Sequence, residues 1–342
     1  MSTTDLMNYF EDLDDLDLLE NGKRAAMIRN LSRDQKKQKA QEKKSAKTAR
    51  RDDRAVFDFS YKAKLHERDW INDSLGSFYQ MHWFDDVLQL IKGGKEASVY
   101  LCSGNESTRV SHLAAKVYRP RRFRNLRKDH LYREGRERLD ENGNAINDDG
   151  KQYAMRKRTH YGKQLLHTSW IEHEVRTMKV LHEAGADVPA IFASGNNAIL
   201  MSYIGEAEMP APALNEIDLD PAEARPLFER VLQNIEIMLA HDRVHGDLSA
   251  YNILYWDGEI TLIDFPQAIS PNENRNAYLI FQRDVARVCE YFAHQGVGAN
   301  PQAIAEQMWR KYRYRTMPDM DPHFLDAESE DDIALWKRMK VT

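Results

Sequence analysis

Cysteine is scarce in this chain, since only Cys102 and Cys289 occur among 342 residues. Two distant thiols, one of them inside an apolar run, exclude a disulfide framework and indicate a reducing compartment. Apolar runs of membrane-span length are also missing, and the acidic N-terminus lacks the apolar core of a signal peptide. These absences predict a soluble, cytoplasmic protein without a membrane partner.

The chain also lacks a large excess of charge, because its formal net charge is only −5. Generic nucleic-acid binding by the whole protein is therefore excluded. The charge is nevertheless uneven: residues 1–20 carry seven acidic and no basic side chains, whereas residues 21–54 carry thirteen basic and four acidic ones. Such a segment has little to bury, so we expect residues 1–55 to form a charged tail that is disordered or a lone solvated helix.

The rest of the chain has short β-forming apolar runs first and helical patterns later. Strands are predicted from the apolar runs at 87–91, 97–102, 113–118 and 198–204. Helices are predicted from 3.6-residue periodicity at 170–184, 226–240, 276–294, 301–314 and 331–340. This order predicts an α+β fold, with a small β-rich lobe over 56–205 and a mainly helical lobe over 206–342.

Between the third strand and the first of these helices lies a long polar stretch, residues 119–166. It holds many arginines and a turn-rich segment at 140–150. A compact domain rarely carries so long an irregular segment without a functional or mobile role, so we expect a flexible loop here.

Three polar side chains near the middle of the chain carry most of the chemistry. Asp247 lies in the run from His245 to Asn252, and Asp264 follows seventeen residues after Asp247. Phosphoryl transfer from a nucleotide needs one carboxylate to position or deprotonate the attacking hydroxyl, and an amide and a second carboxylate to hold metal ions. Asp247 is the candidate for the first role, and Asn252 and Asp264 are the candidates for the metal ligands.

A predicted β-hairpin joins the two halves of this constellation. Residues 253–256 form the outgoing strand, Asp257-Gly258 the tight turn, and residues 259–263 the return strand. A hairpin fixes the spacing between Asn252 and Asp264, as two metal ligands require.

A glycine-containing turn separates the first two predicted strands, in the run Gly93-Gly94-Lys95-Glu96-Ala97-Ser98-Val99. Glycine permits backbone amides to approach phosphate oxygens closely. The run is not a Walker A loop, whose lysine and hydroxyl stand at a helix start. Nucleotide contacts are expected from Gly94, Lys95, Ser98 and Val99.

Lys116 lies within the apolar strand that also contains Ala114, and Ala114 is a further expected nucleotide contact. A lysine in such a strand is costly unless an anionic partner compensates it. A nucleotide phosphate and a helix carboxylate would both serve. Glu174, which precedes Met178 and Leu181 on one helix, is the candidate carboxylate, and Glu172 remains a competitor. On the strand at 198–204, backbone groups of Ser202 and Ile204 are expected to meet the adenine edge.

Taken together, these motifs resemble the RIO family of atypical protein kinases. The resemblance rests on residues 94–100, Lys116, Glu174, residues 201–206, 210–212, 245–252 and 263–267, in the family's order and over roughly residues 80–295. Leu248, Ser249 and Tyr251 resemble the type-1 branch, whereas Phe265-Pro266-Gln267 is closer to type 2. The motifs favour a type-1-like member, bacterial or otherwise divergent.

The resemblance implies a two-lobed kinase fold and a serine/threonine protein kinase with ATPase activity. It implies ATP as nucleotide and Mg²⁺ as metal, with Mn²⁺ as a substitute. Asp247 would be the catalytic base, Lys116 the phosphate anchor, and Asp264 a metal ligand that can itself accept phosphate. The family also links to ribosomal-subunit maturation. Only about ten residues separate Asp264 from the next predicted helix, so a truncated activation segment is expected.

Two other functions remain open at the level of sequence. Aminoglycoside and choline kinases also use a His-Gly-Asp loop followed by Asn and Ile-Asp, so a small-molecule phosphotransferase is one alternative. A nucleotide-gated factor that binds a ribosomal subunit or ribosomal RNA, through basic residues 33–54 and 119–138, is another. His241 and His245 have the spacing of a helical zinc pair, but Gly246 follows at once, which favours a hydrogen-bonding role for His245 in the loop. The oligomeric state stays open.

Overall fold

The computed structural model describes residues 56–94, 96–119, 136–195 and 197–315. They form two compact units. The first unit contains the described residues up to 119, together with 137–212 and 254–266, and the second contains 136, 213–253 and 267–315. Three predicted features lie outside the described residues: the charged tail, Lys95 and the helix at 331–340.

An antiparallel sheet of five strands forms the centre of the first unit. Its strand order is β1-β2-β3-β5-β4. The strands are β1 Asp86–Gly93, β2 Ala97–Ser103, β3 His112–Tyr118, β4 Ile191–Gly195 and β5 Ala198–Ser202. The predicted strands match to within two residues, and only the short β4 was not predicted. The chain is thus α+β with a β-rich first unit, as expected.

Helix α1, Leu65–Gln80, covers one face of this sheet. Its buried Ile71, Leu75 and Phe78 join a core with strand residues that share the facing side, among them Leu113, Ala115 and Val117 of β3. Because side chains alternate along a strand, Ala114, Lys116 and Tyr118 point to the opposite face.

The polar stretch at 119–166 is not a continuous loop, and this expectation was wrong for its second half. Helix α2 spans Asp149–Arg156, and helix α3 spans His160–Glu183 and so begins ten residues earlier than predicted. Side-chain caps start both helices: Asp148 accepts from the N–H of Lys151, and Thr159 from that of Gly162. The helices pack so closely that a Cβ at Gly162 would lie 2.0 Å from the Ala154 carbonyl oxygen.

Two pairs of short strands follow the sheet in the chain. Strands β6 Gly205–Glu206 and β7 Met209–Pro210 form one pair, and β8 Ile253–Trp256 and β9 Glu259–Leu262 form the other. The second is the predicted hairpin. Asp257 and Gly258 have φ of 50° and 82° at its turn, which is the conformation that an Asp-Gly hairpin turn requires.

The second unit is mainly helical. Its helices are α4 Pro221–Ala240, α5 Ala277–His294 and α6 Pro301–Lys311, with single 3₁₀ turns at Leu214–Glu216 and Ala250–Asn252. Helix α4 begins five residues earlier than predicted, because Asp220 caps it and Pro221 occupies its first turn, while Pro226 is accommodated inside. Within the described part of the chain, no helix has the length and apolar character needed to cross a bilayer.

Candidate active site

Lys116 lies on the face of the central sheet that α1 does not cover. It pairs with Val99 of β2 and Ile199 of β5, and its residue is only 8% exposed. Burial by itself lowers the pKa of Lys116, but the neighbouring charges of Asp264 and Glu174 outweigh it, so the pKa is raised. The ammonium group therefore stays charged inside the unit.

The carboxylate that meets Lys116 from helix α3 is that of Glu174. Lys116 Nζ lies 2.7 Å from Glu174 Oε1, and the Tyr118 hydroxyl donates to Glu174 Oε2. Glu174 and Glu172 are two residues apart on a helix and so differ by about 200° in direction. Glu172 is buried elsewhere, and burial raises its pKa to about 7, against the smaller effect of Lys179.

Asp264 supplies a second carboxylate to Lys116. Its Oδ1 lies 2.7 Å from Lys116 Nζ, and its side chain is 41% exposed. Asp264 follows β9 by two residues and has φ of 71°, a left-handed conformation that Asp and Asn adopt more readily than most residues. A local turn immediately after the hairpin thus places the Asp264 carboxylate next to Lys116.

The other predicted nucleotide contacts of the first unit lie on both faces of the central sheet and at the turn between β1 and β2. Ala114 is buried on the face of Lys116, and Val99 lies directly opposite Lys116. Ser98 belongs to the other alternation and is buried, and Arg119 donates to its hydroxyl at 3.3 Å. Gly94 closes the turn, with its N–H donating to the Ala97 carbonyl, and a Cβ at Gly94 would lie 2.9 Å from that oxygen.

The backbone at Ser202 and Ile204 already takes part in protein hydrogen bonds. The Ser202 N–H donates to the Ala190 carbonyl at 2.9 Å, and the Ile204 carbonyl accepts from the Ala211 N–H at 3.1 Å. An adenine edge at this strand would therefore have to use the remaining groups of these residues.

The loop that holds Asp247 is fixed by helix α5 in the second unit. The Gly246 N–H donates to Asp284 Oδ2 at 2.8 Å, and Arg283 donates to the Gly246 carbonyl. Gly246 has φ of 85°, and a Cβ there would lie 2.3 Å from the Gln267 carbonyl oxygen, so only glycine fits. Burial raises the pKa of Asp284 to about 6, although Arg283 opposes this.

Asp247 and Asn252 lie at the two ends of the same short loop. Asn252 Nδ2 donates to the Asp247 carbonyl at 2.9 Å, and the Asp247 N–H donates to His245 Nδ1 at 3.3 Å. The second contact is the loop hydrogen bond expected for His245. The Asp247 carboxylate is 39% exposed and accepts from Arg287 Nη1 at 2.8 Å.

The donor atoms of the predicted metal ligands suit a hard divalent cation. The amide nitrogen of Asn252 is used within its loop, which leaves its Oδ1 on the other side of the amide. In the first unit, the carboxylate of Asp264, 41% exposed, also presents oxygen donors. Oxygen donors are those that Mg²⁺ prefers, completed by phosphate and water oxygens. Among the described residues, no group of three or more His, Cys, Asp or Glu could hold a metal ion.

Sequence reasoning missed three residues that support these groups. Tyr118 lies two residues after Lys116 in strand β3 and therefore points to the same face of the sheet. The alternation of side chains along a strand would have identified Tyr118 from the sequence. Asp284 and Arg287 are charged residues one turn apart in an apolar helical pattern, which was the available signal. Of the arginines in 119–138, Arg119 contacts Ser98 and Arg136 donates to the Ala268 carbonyl at 2.7 Å, while residues 120–135 lie outside the described part of the chain.

Comparison with known proteins identifies the family to which these features belong. The model of the RIO domain matches residues 98–304, which is well over half of the chain. The match contains Lys116, Glu174, the loop with Asp247 and Asn252, and Asp264.

Individual relatives are similar over shorter stretches. The chain is 32% identical over 130 residues to the serine/threonine-protein kinase RIO1 of Homo sapiens, covering 38% of this chain and 23% of that protein. It is 28% identical over 218 residues to the RIO-type serine/threonine-protein kinase Rio1 of Haloferax volcanii, covering 63% and 66%. It is 29% identical over 142 residues to the RIO-type serine/threonine-protein kinase Rio1 of Thermoplasma acidophilum, which covers 42% of this chain and 73% of that protein.

The match thus spans about a quarter of the human protein's length and about two thirds of the Haloferax protein's. The extent of the domain match, over a kinase-like α+β fold with the expected motifs in order, decides the assignment: the chain belongs to the RIO family.

Proposed function

We propose that the protein is an ATP-dependent serine/threonine kinase and ATPase of the RIO type. The observation that carries this proposal is the buried ammonium of Lys116 between Glu174 and Asp264, 2.7 Å from each carboxylate. Burying the charges of Lys116 and Glu174, whose side chains are 10% and 1% exposed, is costly. In a chain whose relatives are named serine/threonine-protein kinases, the orientation of nucleotide phosphates explains that cost.

Each residue has a role in this proposal. Lys116 orients the phosphates, and Glu174 holds Lys116 in place with help from Tyr118. Asp264 and Asn252 are the metal ligands, and the metal, when bound, neutralises charge on the β- and γ-phosphates. Asp247 orients the attacking hydroxyl or water and accepts its proton. Gly94, Ser98, Val99, Ala114 and the backbone at Ser202 and Ile204 are the proposed nucleotide contacts. Lys95, which lies outside the described residues, is proposed as a further contact.

A phosphorylated form of Asp264 is a further part of the proposal. An oxygen of Asp264 would attack the γ-phosphorus, the bond to the β–γ bridging oxygen would break, and ADP would leave. Water would then release the phosphate. Only twelve residues, 265–276, lie between Asp264 and helix α5. So short a segment offers little room for a docked peptide to compete with Asp264.

A cellular role in ribosomal-subunit maturation follows from family resemblance and forms the least direct part of the proposal. The basic residues at 33–54 and 119–138 are the proposed contacts to ribosomal RNA or a subunit. A cytoplasmic location agrees with the two cysteines, which are both free and buried.

Incubation with γ-labelled ATP and Mg²⁺ tests the proposal directly. Free phosphate, labelled protein and the chemical stability of the label are followed together, and Mn²⁺ replaces Mg²⁺ in a parallel series. Turnover of ATP with protein label supports the proposal. Phosphorylation of small alcohols or aminoglycosides in preference to protein or water would support the small-molecule phosphotransferase instead.

A further inference from the structure

Arg287 is the one side chain in the described part of the chain that donates to the Asp247 carboxylate. Its Nη1 lies 2.8 Å from Asp247 Oδ1. The two side chains are 41% and 39% exposed. Ion pairs this exposed contribute little to stability, because solvent screens them. The main consequence of the contact is therefore the orientation that it imposes on Asp247.

The backbone around Asp247 is already fixed without Arg287. The Gly246 N–H is bound by Asp284, and the Asp247 carbonyl accepts from Asn252. These contacts leave the rotation of the Asp247 side chain undetermined. A guanidinium on the rigid helix α5 fixes it, because arginine stays charged at all relevant pH values and presents its donors in a planar fork.

The contact also makes the two carboxylate oxygens of Asp247 different from each other. Oδ1 accepts from Arg287, and Oδ2 accepts no hydrogen bond from any described residue. Oδ2 is therefore the oxygen available to an acceptor hydroxyl or water. Asp284 and Arg287 lie three residues apart, on neighbouring turns of one helix face. On helix α5, Asp284 thus binds the loop backbone at Gly246, and Arg287 binds the side chain of Asp247.

We infer that Arg287 is a positioning residue for Asp247, which keeps Oδ1 engaged and presents Oδ2 to the hydroxyl or water that attacks the transferred phosphate. This inference rests on the proposed function and adds a residue to which neither the sequence motifs nor the family resemblance pointed.

A double-mutant cycle on the full-length protein tests the inference. Arg287→Ala is expected to lower kcat about 10- to 100-fold, because small misplacements of a catalytic group cost that much. The KM for ATP should change less than about twofold, since Arg287 acts on the attacking side. Arg287→Lys should recover part of kcat, because it keeps the charge but not the planar fork.

The Asp247→Ala background separates positioning from a structural role. There, adding Arg287→Ala should change the remaining rate less than about twofold, because the group that Arg287 positions is absent. Arg310→Ala is the matched control: Arg310 pairs with Glu306 on the exposed face of helix α6, and its loss should leave kcat unchanged.

Three results would overturn the inference: normal kcat in Arg287→Ala, a full additional loss of rate in the Asp247→Ala background, or a loss that appears wholly in KM. A folded wild-type protein that does not turn over ATP would instead contradict the proposed function itself, and the inference with it.

Discussion

The ammonium of Lys116 lies 2.7 Å from the carboxylate of Asp264, although 148 residues separate them in the chain. Strand β3 supplies the lysine, and the turn after hairpin β8–β9 supplies the carboxylate. A nucleotide phosphate that binds Lys116 must share the ammonium with Asp264. This relationship links the proposed phosphate anchor to the residue proposed both as metal ligand and as phosphate acceptor.

Replacing Lys116 by methionine should affect both stability and nucleotide binding. Glu174 is 1% exposed, and removing one partner of a buried pair typically costs about 3–5 kcal/mol. We expect the lower end, because Tyr118 still donates to Glu174. Denaturant unfolding and ATP titration measure the two effects.

The double variant Lys116→Met with Glu174→Gln serves as the control for this prediction. It should regain part of the stability without regaining ATP affinity, because the unpaired charge is removed while the phosphate anchor stays absent. Unchanged ATP affinity and turnover in Lys116→Met would contradict the proposed role of the lysine.

Asp247→Ala should lower ATP turnover by roughly 10²–10⁴-fold, the usual contribution of a general base. ATP affinity should remain close to that of the wild type, because Asp247 is assigned to the attacking group and not to the phosphates. Steady-state rates and equilibrium titration of the same preparation separate the two quantities. Near-normal turnover in a folded variant would remove the assignment.

The chemistry of the protein-bound label tests the role of Asp264. If Asp264 accepts phosphate, the wild-type label is an acyl phosphate that hydroxylamine cleaves. Asp264→Asn should abolish this label, and Asp264→Ala should also weaken the dependence on Mg²⁺. A label that resists hydroxylamine and maps to serines such as those at 98–111 would indicate ordinary autophosphorylation.

Glu172 should make stability depend on pH. Its pKa is raised to about 7 by burial, from an ordinary value of 4.5. Between pH 4.5 and 7 the folded protein retains a proton that the unfolded chain releases, so this contribution to stability falls as pH rises and levels off above 7. Glu172→Gln should therefore gain stability relative to wild type from pH 5 to pH 8 in unfolding experiments. A difference between the two proteins that is constant with pH would contradict the shift.

Removal of residues 1–55 tests the proposed contact with ribosomal particles. The truncated protein should keep its ATPase activity, because the proposed catalytic residues lie at 94–264. Co-sedimentation with ribosomal particles should weaken, and the difference should shrink as salt rises, because phosphate contacts are electrostatic. Equal co-sedimentation of both proteins at low salt would assign another purpose to the tail.

Short-range patterns in the sequence specify the local elements of this protein and the chemical types of its candidate site. Strands β1, β2, β3 and β5 follow from short apolar runs, and hairpin β8–β9 follows from Asp257-Gly258, because alternation and turn chemistry act over a few residues. The motif with Asp247, Asn252 and Asp264 likewise indicated phosphoryl transfer from spacing alone. The polar composition of residues 119–166 predicted a loop, but Asp148 and Thr159 cap helices there. The sequence prediction was therefore wrong for that segment.

Only the tertiary structure decided which groups meet. The choice of Glu174 over Glu172 depends on how helix α3 is rotated against the sheet, and the contact of Lys116 with Asp264 depends on packing across 148 residues. The pairing of Arg287 with Asp247 depends on where helix α5 passes the loop that holds Asp247. Periodicity specifies the face of an element but not its neighbour, because that neighbour is selected by the burial of apolar surface from the whole chain.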